Sequence, residues 1–342
     1  MDINLAEMYW DEEMIDIAEE VIKSGRYVKG SGSERLEENF SNFCETGNGV
    51  TFNSGTSALL ASYHSLGISE GDDVVVPSFT FAATVTPLLF LDANPVFVDI
   101  NEETYTMDIE SVKEKLSRDT KAIVPVHLYG HPADMDSLKD LAEDYDARLI
   151  EDACQAHGAK YKGEKVGGIG DIGCFSFFPS KNLTVAGEGG IAVTDDDELA
   201  EKLERFRDHG RGADDKYKHR FLGLNLRLSE ILARLGNHQL EKLSNWNEKR
   251  REIAKIYRKN LGDEVTVPRE KGWAKHVYHL FVIRSEKREE LQNYLSERGI
   301  STGIHYPIPV HKQPILKEKE DIELPVTERM ANEVLSLPMY PG

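Results

Sequence analysis

The sequence predicts an α/β fold in which a mostly parallel central sheet is flanked by helices, and two observations carry that expectation. From Val50 to Thr194, short β-branched runs alternate with segments whose apolar residues recur every three or four positions, the pattern of parallel strands covered by helices on both faces. The polar and ionisable residues of most chemical interest fall directly after those strands, where an open sheet of this kind binds its ligands. A chain of 342 residues has room for two domains of about 100 to 200 residues each. The expected division is a large α/β domain at residues 1–240, including an N-terminal helix over 11–24, and a smaller α+β domain at residues 241–342.

In chain order, Glu12 to Lys23 is amphipathic and stopped by Gly25, and Gly30-Ser31-Gly32 reads as a flexible connection. A strand precedes Asn53. Further strands are expected at Val74–Val76, Val96–Val98, Ala122–Val126, Arg148–Ile150, Cys174–Phe177 and Ile191–Val193. Helices are expected at Thr56–Leu66, Thr80–Leu91, Ile109–Leu116 and Met135–Tyr145; in the last, Leu138, Leu141 and Tyr145 share a face with Asp and Lys between them. The charged, glycine-bearing segment Gly210–Arg220 reads as a mobile loop. A long helix over Ser229–Leu261 then leads to a region starting near Val265, with a strand at His279–Ile283 and a helix at Arg288–Arg298.

With 60 acidic against 41 basic residues and a formal charge of −19, nucleic acid is excluded as a partner, because polyanion binding needs clustered Lys and Arg. The longest apolar stretch, Val85 to Val98, is broken by Asp92, Asn94 and two prolines, short of the roughly 18 apolar residues of a spanning helix. No basic segment followed by an apolar run opens the sequence, so no secretory signal and no membrane association are expected and the cytoplasm is the default location. Cys44, Cys154 and Cys174 are odd in number, widely spaced and set in apolar sequence, as reduced core thiols would be.

The chemistry centres on Lys181, which follows the apolar run Gly173–Pro179 and precedes the glycine-rich turn Gly187-Glu188-Gly189-Gly190. A lysine leaving a buried strand has its pKa lowered by desolvation, and its free amine can then form a Schiff base with an aldehyde cofactor, here pyridoxal 5'-phosphate. Asn53-Ser54-Gly55-Thr56-Ser57 joins a strand to a helix. Backbone amides and the Thr56 and Ser57 hydroxyls converge there as a phosphate cradle, or Ser54 or Thr56 simply caps the helix. Asp152 ends a strand, a costly place for a carboxylate without a positive partner; a protonated pyridine nitrogen fits, as does an ordinary ion pair. Phe81 is placed to stack on the ring or to join the core, and the Ser176 hydroxyl to reach a phosphate oxygen.

These residues occur within an ordered set of motifs. Asn53–Thr56, Pro77-Ser78-Phe79-Thr80-Phe81, Pro125–Gly130, Ile150–Gly158, Phe175–Asn182, Gly223–Arg227, His276–His279 and Ile304–Pro307 together resemble the DegT/DnrJ/EryC1/StrS aminotransferases, fold-type I pyridoxal phosphate enzymes that mostly aminate keto sugars carried on nucleotides. The resemblance implies that Lys181 holds the cofactor and shuttles the proton, that Asp152 pairs with the pyridine nitrogen and that Phe81 stacks on the ring. It puts Gln155 near the ring's phenolic oxygen, and Gly55, Thr56 and Ser176 at the phosphate. Asn225 would reach the phosphate in a neighbouring subunit, so that the sites of a homodimer lie at its interface. Tyr129, Arg220, His305 and Tyr306 become candidate substrate contacts. A dehydratase branch of the family carries His in place of the lysine and is disfavoured here, and relatives usually continue into a last helix beyond Leu337–Gly342.

The implied activity is ping-pong transfer of the amino group of glutamate to a 3- or 4-keto sugar on a nucleotide. The alternatives are an enzyme of aminocyclitol (scyllo-inosose) or aminobenzoate biosynthesis and a noncatalytic, cofactor-binding regulator. Arg211, Lys216, Lys218, His219 and Arg220 are candidates for the substrate's pyrophosphate. A metal centre at His276, His279, His305 and His311 lacks a completing carboxylate or cysteine cluster, so no metal is expected.

Overall fold

The computed structural model describes residues 2–211, 217–319 and 321–341. Its elements run α1 (Glu12–Ser24), α2 (Ser31–Cys44), β1 (Asn48–Phe52), α3 (Gly55–Ser65), β2 (Asp73–Pro77), α4 (Thr86–Phe90), β3 (Asn94–Val98), α5 (Ile109–Lys115), β4 (Thr120–Ile123) and α6 (Met135–Tyr145). They continue with β5 (Arg148–Asp152), β6 (Lys160–Tyr161), β7 (Glu164–Lys165), β8 (Ile172–Ser176), β9 (Gly190–Thr194), α7 (Asp197–Arg207) and α8 (Glu230–Asn260). The last part holds β10 (Ala274–Lys275), β11 (Phe281–Arg284), α9 (Arg288–Ser296), α10 (Pro325–Glu333) and β12 (Val334–Leu337).

Seven strands form the central sheet in the order β1-β9-β8-β5-β4-β2-β3. All neighbours from β8 to β3 run parallel, and β9 runs antiparallel to both β1 and β8. The expected α/β class is therefore observed, with one reversed strand that alternation of β-branched runs does not reveal. Apolar clusters lie on both faces: one around Phe52, Leu59, Val74 and Ile150, another around Phe40, Phe175, Phe177 and Ile191. A two-stranded pair, β11 with β12, lies outside this sheet.

Several expected elements differ in extent. The segment Thr80–Leu91 is not one helix: Phe81 is extended at φ −73, ψ 142, a short 3-10 turn covers Ala82–Thr84, and α4 begins afresh with Pro87 in its first turn, where a missing N–H costs nothing. Strand β4 ends at Ile123 rather than Val126, because Pro125 has no N–H to give the ladder. The connection at Gly30–Gly32 belongs to a regular helix end. Gly30 caps α2, and the buried Glu230 carboxylate accepts from Gly32 N at 2.7 Å and Ser33 N at 3.3 Å, a negative charge on the positive end of the helix. Helix α8 runs through residue 240 without a break, packing α1 and α2 along its first half.

Strand β5 places two carboxylates next to each other on opposite faces of the sheet. Glu151 is fully buried and accepts from His127 Nε2 at 2.8 Å and from the amides of Gly167, Ile169 and Gly170 at 2.7 Å each. His127 Nδ1 accepts from Ala133 N at 3.0 Å, which puts the ring proton on Nε2, facing Glu151. Desolvation works against the Glu151 anion, but His127 and the amides outweigh it and hold its pKa below the ordinary carboxylate range. Glu151→Gln turns one acceptor oxygen into a donor facing amides, and is expected to cost about 3 kcal/mol or more of unfolding free energy in urea titration.

Burial also lowers the histidines, His131 to about 4 and His157 to about 3. Both rings stay neutral in the fold under conditions where the unfolded chain, titrating near pH 6.5, takes up protons. Between about pH 6.5 and 4 the unfolded state thus binds more protons, and stability falls as pH falls. The urea midpoint is expected to drop steadily across that interval; a midpoint that holds constant would contradict the neutral assignment.

Candidate functional site

The carboxyl ends of the parallel strands open into a cavity of about 450 Å³. Asp152, at the end of β5, reaches it with both oxygens already oriented: Oδ2 accepts from Thr84 Oγ1 at 2.8 Å and Oδ1 from Cys154 N at 3.1 Å. Thr84 Oγ1 lies 2.9 Å from Thr80 Oγ1, so the irregular turn after β2 exists in part to carry this support. Lys181 lines the same cavity just beyond β8. Burial lowers the pKa of its amine, with Cys154 and Asp152 opposing the shift, and a depressed lysine is a competent nucleophile.

Helix α3 points its amino end at this space. Ser54 is its cap, accepting from Ser57 N at 3.1 Å, and the Ser57 hydroxyl donates to Asn53 Oδ1 at 2.7 Å. Capping and cradle therefore coexist: Ser54 takes one amide, and the Gly55 and Thr56 amides have no intrahelical acceptor. A Cβ on Gly55 would stand 2.7 Å from Ser176 Cβ and 3.1 Å from Cys154 Sγ, so the helix end can approach β8 this closely only as glycine. Open amides, a helix dipole and the exposed Thr56 hydroxyl suit a phosphate, and the neighbouring lysine and carboxylate suit the aldehyde and ring nitrogen of pyridoxal phosphate.

The far wall comes from the segment around residue 306. Gln155 joins it to the sheet: its Oε1 accepts from Tyr129 N at 2.9 Å and its Nε2 donates to Tyr306 Oη at 3.0 Å. Tyr129 Oη donates to the His305 carbonyl. The Tyr306 and Phe81 rings lie 5.8 Å apart between centroids, and Phe81 is 57 % exposed, which leaves a ring face open.

Of the residues singled out from sequence, Gly55, Thr56, Phe81, Asp152, Gln155, Ser176, Lys181, His305 and Tyr306 line the one cavity. Ser57, Tyr129, Arg220 and Asn225 do not. Ser57 is engaged in the cap, and Tyr129 is 2 % exposed and gives its amide to Gln155 and its hydroxyl to the His305 carbonyl; it braces the wall. Asn225 and Arg220 are exposed, and Asn225 pairs with Asp208 in a strand-like bridge. Arg211, Lys218 and His219 stand outside the cavity lining too, and Lys216 lies outside the described residues. The proposed metal histidines are engaged separately: His276 with Tyr278 N, His279 with Asn182, His305 with Ser336 and His311 with Ser78 and Glu328. Sequence reasoning missed Thr84, Cys154 and Glu188 as lining residues; Cys154, set between Asp152 and Gln155, carried the clearest signal.

By fold and by kinship the chain is an aminotransferase. It belongs to the DegT/DnrJ/EryC1/StrS aminotransferase family, whose pattern matches residues 9–342. It is 40% identical to a protein named pleiotropic regulatory protein from Geobacillus stearothermophilus, covering 99% of this chain and 93% of that one. It is 42% identical to dTDP-3-amino-3,4,6-trideoxy-alpha-D-glucose transaminase from Streptomyces venezuelae, covering 94% and 85%. The crystal structure of S. venezuelae DesV in complex with a ketimine intermediate superposes with a TM-score of 0.96 at 39% identity, covering 99% of this chain and 94% of that one.

Removing the link between sheet and far wall tests the geometry directly. Gln155→Ala strands the buried Tyr129 amide and the Tyr306 hydroxyl, and is expected to destabilise the protein by about 1–3 kcal/mol, against about 1 kcal/mol for Tyr306→Phe, in urea titration.

Proposed function

We propose that the protein is a pyridoxal 5'-phosphate-dependent aminotransferase that moves the amino group of glutamate to C3 of a nucleotide-linked keto sugar. The observation that carries this reading is the cavity shared by Lys181 and Asp152, with the open amino end of α3 beside them. The C3 assignment is supported by transaminase relatives whose names specify 3-amino, 3-dehydro or 3-oxo sugars carried on dTDP or UDP.

When bound, pyridoxal phosphate supplies an electron sink through which an amine nitrogen passes from one carbon skeleton to another. Lys181 would hold it through Nζ, and the same amine is placed to take and return the proton at the substrate carbon. The Asp152 carboxylate would hold a proton on the ring nitrogen, and Thr84 and the Cys154 amide keep that carboxylate in register. Phe81, which lines the cavity, would cover one ring face. The Gly55 and Thr56 amides with the Thr56 and Ser176 hydroxyls hold the phosphate, while Ser57 keeps the helix end capped for them. Gln155 orients Tyr306, and His305 and Tyr306 border the sugar.

The working unit in this proposal is a cytoplasmic homodimer with a site at each side of the interface. Support comes from the exposed apolar residues near Asn225, with Leu222 77 % and Leu224 42 % exposed; Asn225 and Arg220 then serve the neighbouring subunit's phosphate and nucleotide. The division at residue 240 is kept as two units joined by the continuous α8. A regulator that binds cofactor without turnover is favoured only by the names of two relatives, a pleiotropic regulatory protein and a sensory transduction protein.

The purified protein is expected to be yellow with bound cofactor and to bleach on addition of glutamate. Borohydride reduction followed by peptide mapping should mark Lys181, and Lys181→Ala should lower turnover by 10²-fold to 10⁴-fold, on the order expected for a positioned proton carrier. A protein that takes up cofactor yet never bleaches with any amino donor supports the regulator instead.

A further inference from the structure

The turn Gly187-Glu188-Gly189-Gly190 offers a single side chain, and the backbone beneath it has no freedom to move away. A Cβ on Gly190 would lie 2.5 Å from the Ser54 carbonyl carbon and oxygen and 2.7 Å from Gly55 N, so the turn is seated on the amino end of α3. Gly189 O accepts from Phe177 N at 2.8 Å, fastening the turn to the segment after β8. Glu188 stands exposed on this base and lines the cavity that Lys181 and Asp152 share. Among the described residues it makes no hydrogen bond or ion pair.

An ionised carboxylate only accepts hydrogen bonds. One that is fixed at a cavity rim without a partner is complementary to O–H or N–H donors on a ligand, and it repels the phosphate and carboxylate groups that α3 and Lys181 attract. Phe81, Phe178 and Tyr306 line the same cavity, giving apolar faces beside a charged acceptor, a combination that suits a pyranose with its apolar C–H faces and peripheral hydroxyls. The amino donor glutamate has two carboxylates and no hydroxyl, and its one N–H donor is the nitrogen it transfers, which leaves it no further group to offer Glu188.

We infer that Glu188 is a specificity-determining residue that accepts a hydrogen bond from a hydroxyl of the sugar substrate; the inference rests on the keto-sugar aminotransferase reading. The test follows the cofactor's absorbance in the two half-reactions separately, giving the holoenzyme either glutamate or dTDP-3-amino-3,6-dideoxygalactose as amine source. Glu188→Ala is expected to lower kcat/KM for the amino sugar about tenfold or more, chiefly through KM, while glutamate changes less than about twofold. Glu188→Gln, which keeps an acceptor oxygen, should recover part of the loss. Equal losses in both half-reactions, or no loss in either, overturn the role of Glu188 and leave the aminotransferase reading standing. Wild-type enzyme that bleaches with glutamate but with no nucleotide-linked amino sugar counts against the keto-sugar reading and this inference together; one that bleaches with neither counts against the aminotransferase itself.

Discussion

The site depends on how β5 ends. A carboxylate inside a protein is costly unless donors surround it, and β5 finishes with two in succession. Glu151 is satisfied entirely from within the fold, by His127 and three amides of the loop that leads into β8. That buried knot fixes the strand's register against its neighbours, and the period of two along a strand then sends Asp152 to the other face. Asp152 receives only Thr84 and the Cys154 amide, which leaves acceptor capacity open toward the cavity. One carboxylate is spent on structure so that the next can be held ready for a cationic partner.

A second constraint holds the far wall against this end of the sheet. Ser78, directly after β2, has its Oγ 2.5 Å from His311 Nδ1 and accepts from His311 N at 3.1 Å, while Val310 N donates to Ser78 O at 3.0 Å. Gln155 and Tyr129 grip the same chain segment at Tyr306 and His305. The stretch from 305 to 311 is thereby tied at both ends to loops that also carry Phe81 and Asp152. Residues 233 positions apart in sequence, Ser78 and His311, are joined directly, and local periodicity carries no trace of such a contact.

That contrast marks what was legible in the sequence. Most strand and helix identities between Val50 and Thr194 followed from period, the segment Thr80–Leu91 excepted, and Lys181, Asp152 and the Ser54–Thr56 turn were visible because each combines a polar group with a strand end. The choice between cap and phosphate cradle at Ser54 was not decidable from residue types, since one helix end does both. Tyr129 and Tyr306 looked alike as sequence, two tyrosines in conspicuous motifs, yet one is buried as a brace and the other faces the cavity; only the long-range bonds through Gln155 separate them. Helix α2 was lost for a similar reason: its glycines suggest flexibility, and the Glu230 carboxylate that pins its first turn lies 198 residues away from Gly32.

The charge pattern around Lys181 explains how a chain with a formal charge of −19 accepts an anionic cofactor. His157, His279 and His305 all have lowered pKa values, with desolvation the leading cause in each and Lys181 contributing to all three. Neutral imidazoles add no positive charge beside Lys181, so they do not draw an anion away from the amino end of α3. In the proposed reading, phosphate recognition falls to fixed dipoles, the α3 amides and hydroxyls, which carry no counterions to displace and are little screened by salt at contact distance. A cavity arranged this way keeps its few full charges for the atoms that react or that distinguish substrates. Glu188 fits that division of labour, because a carboxylate at the rim would weaken an anion site built from lysines and arginines but leaves one built from buried amides largely intact.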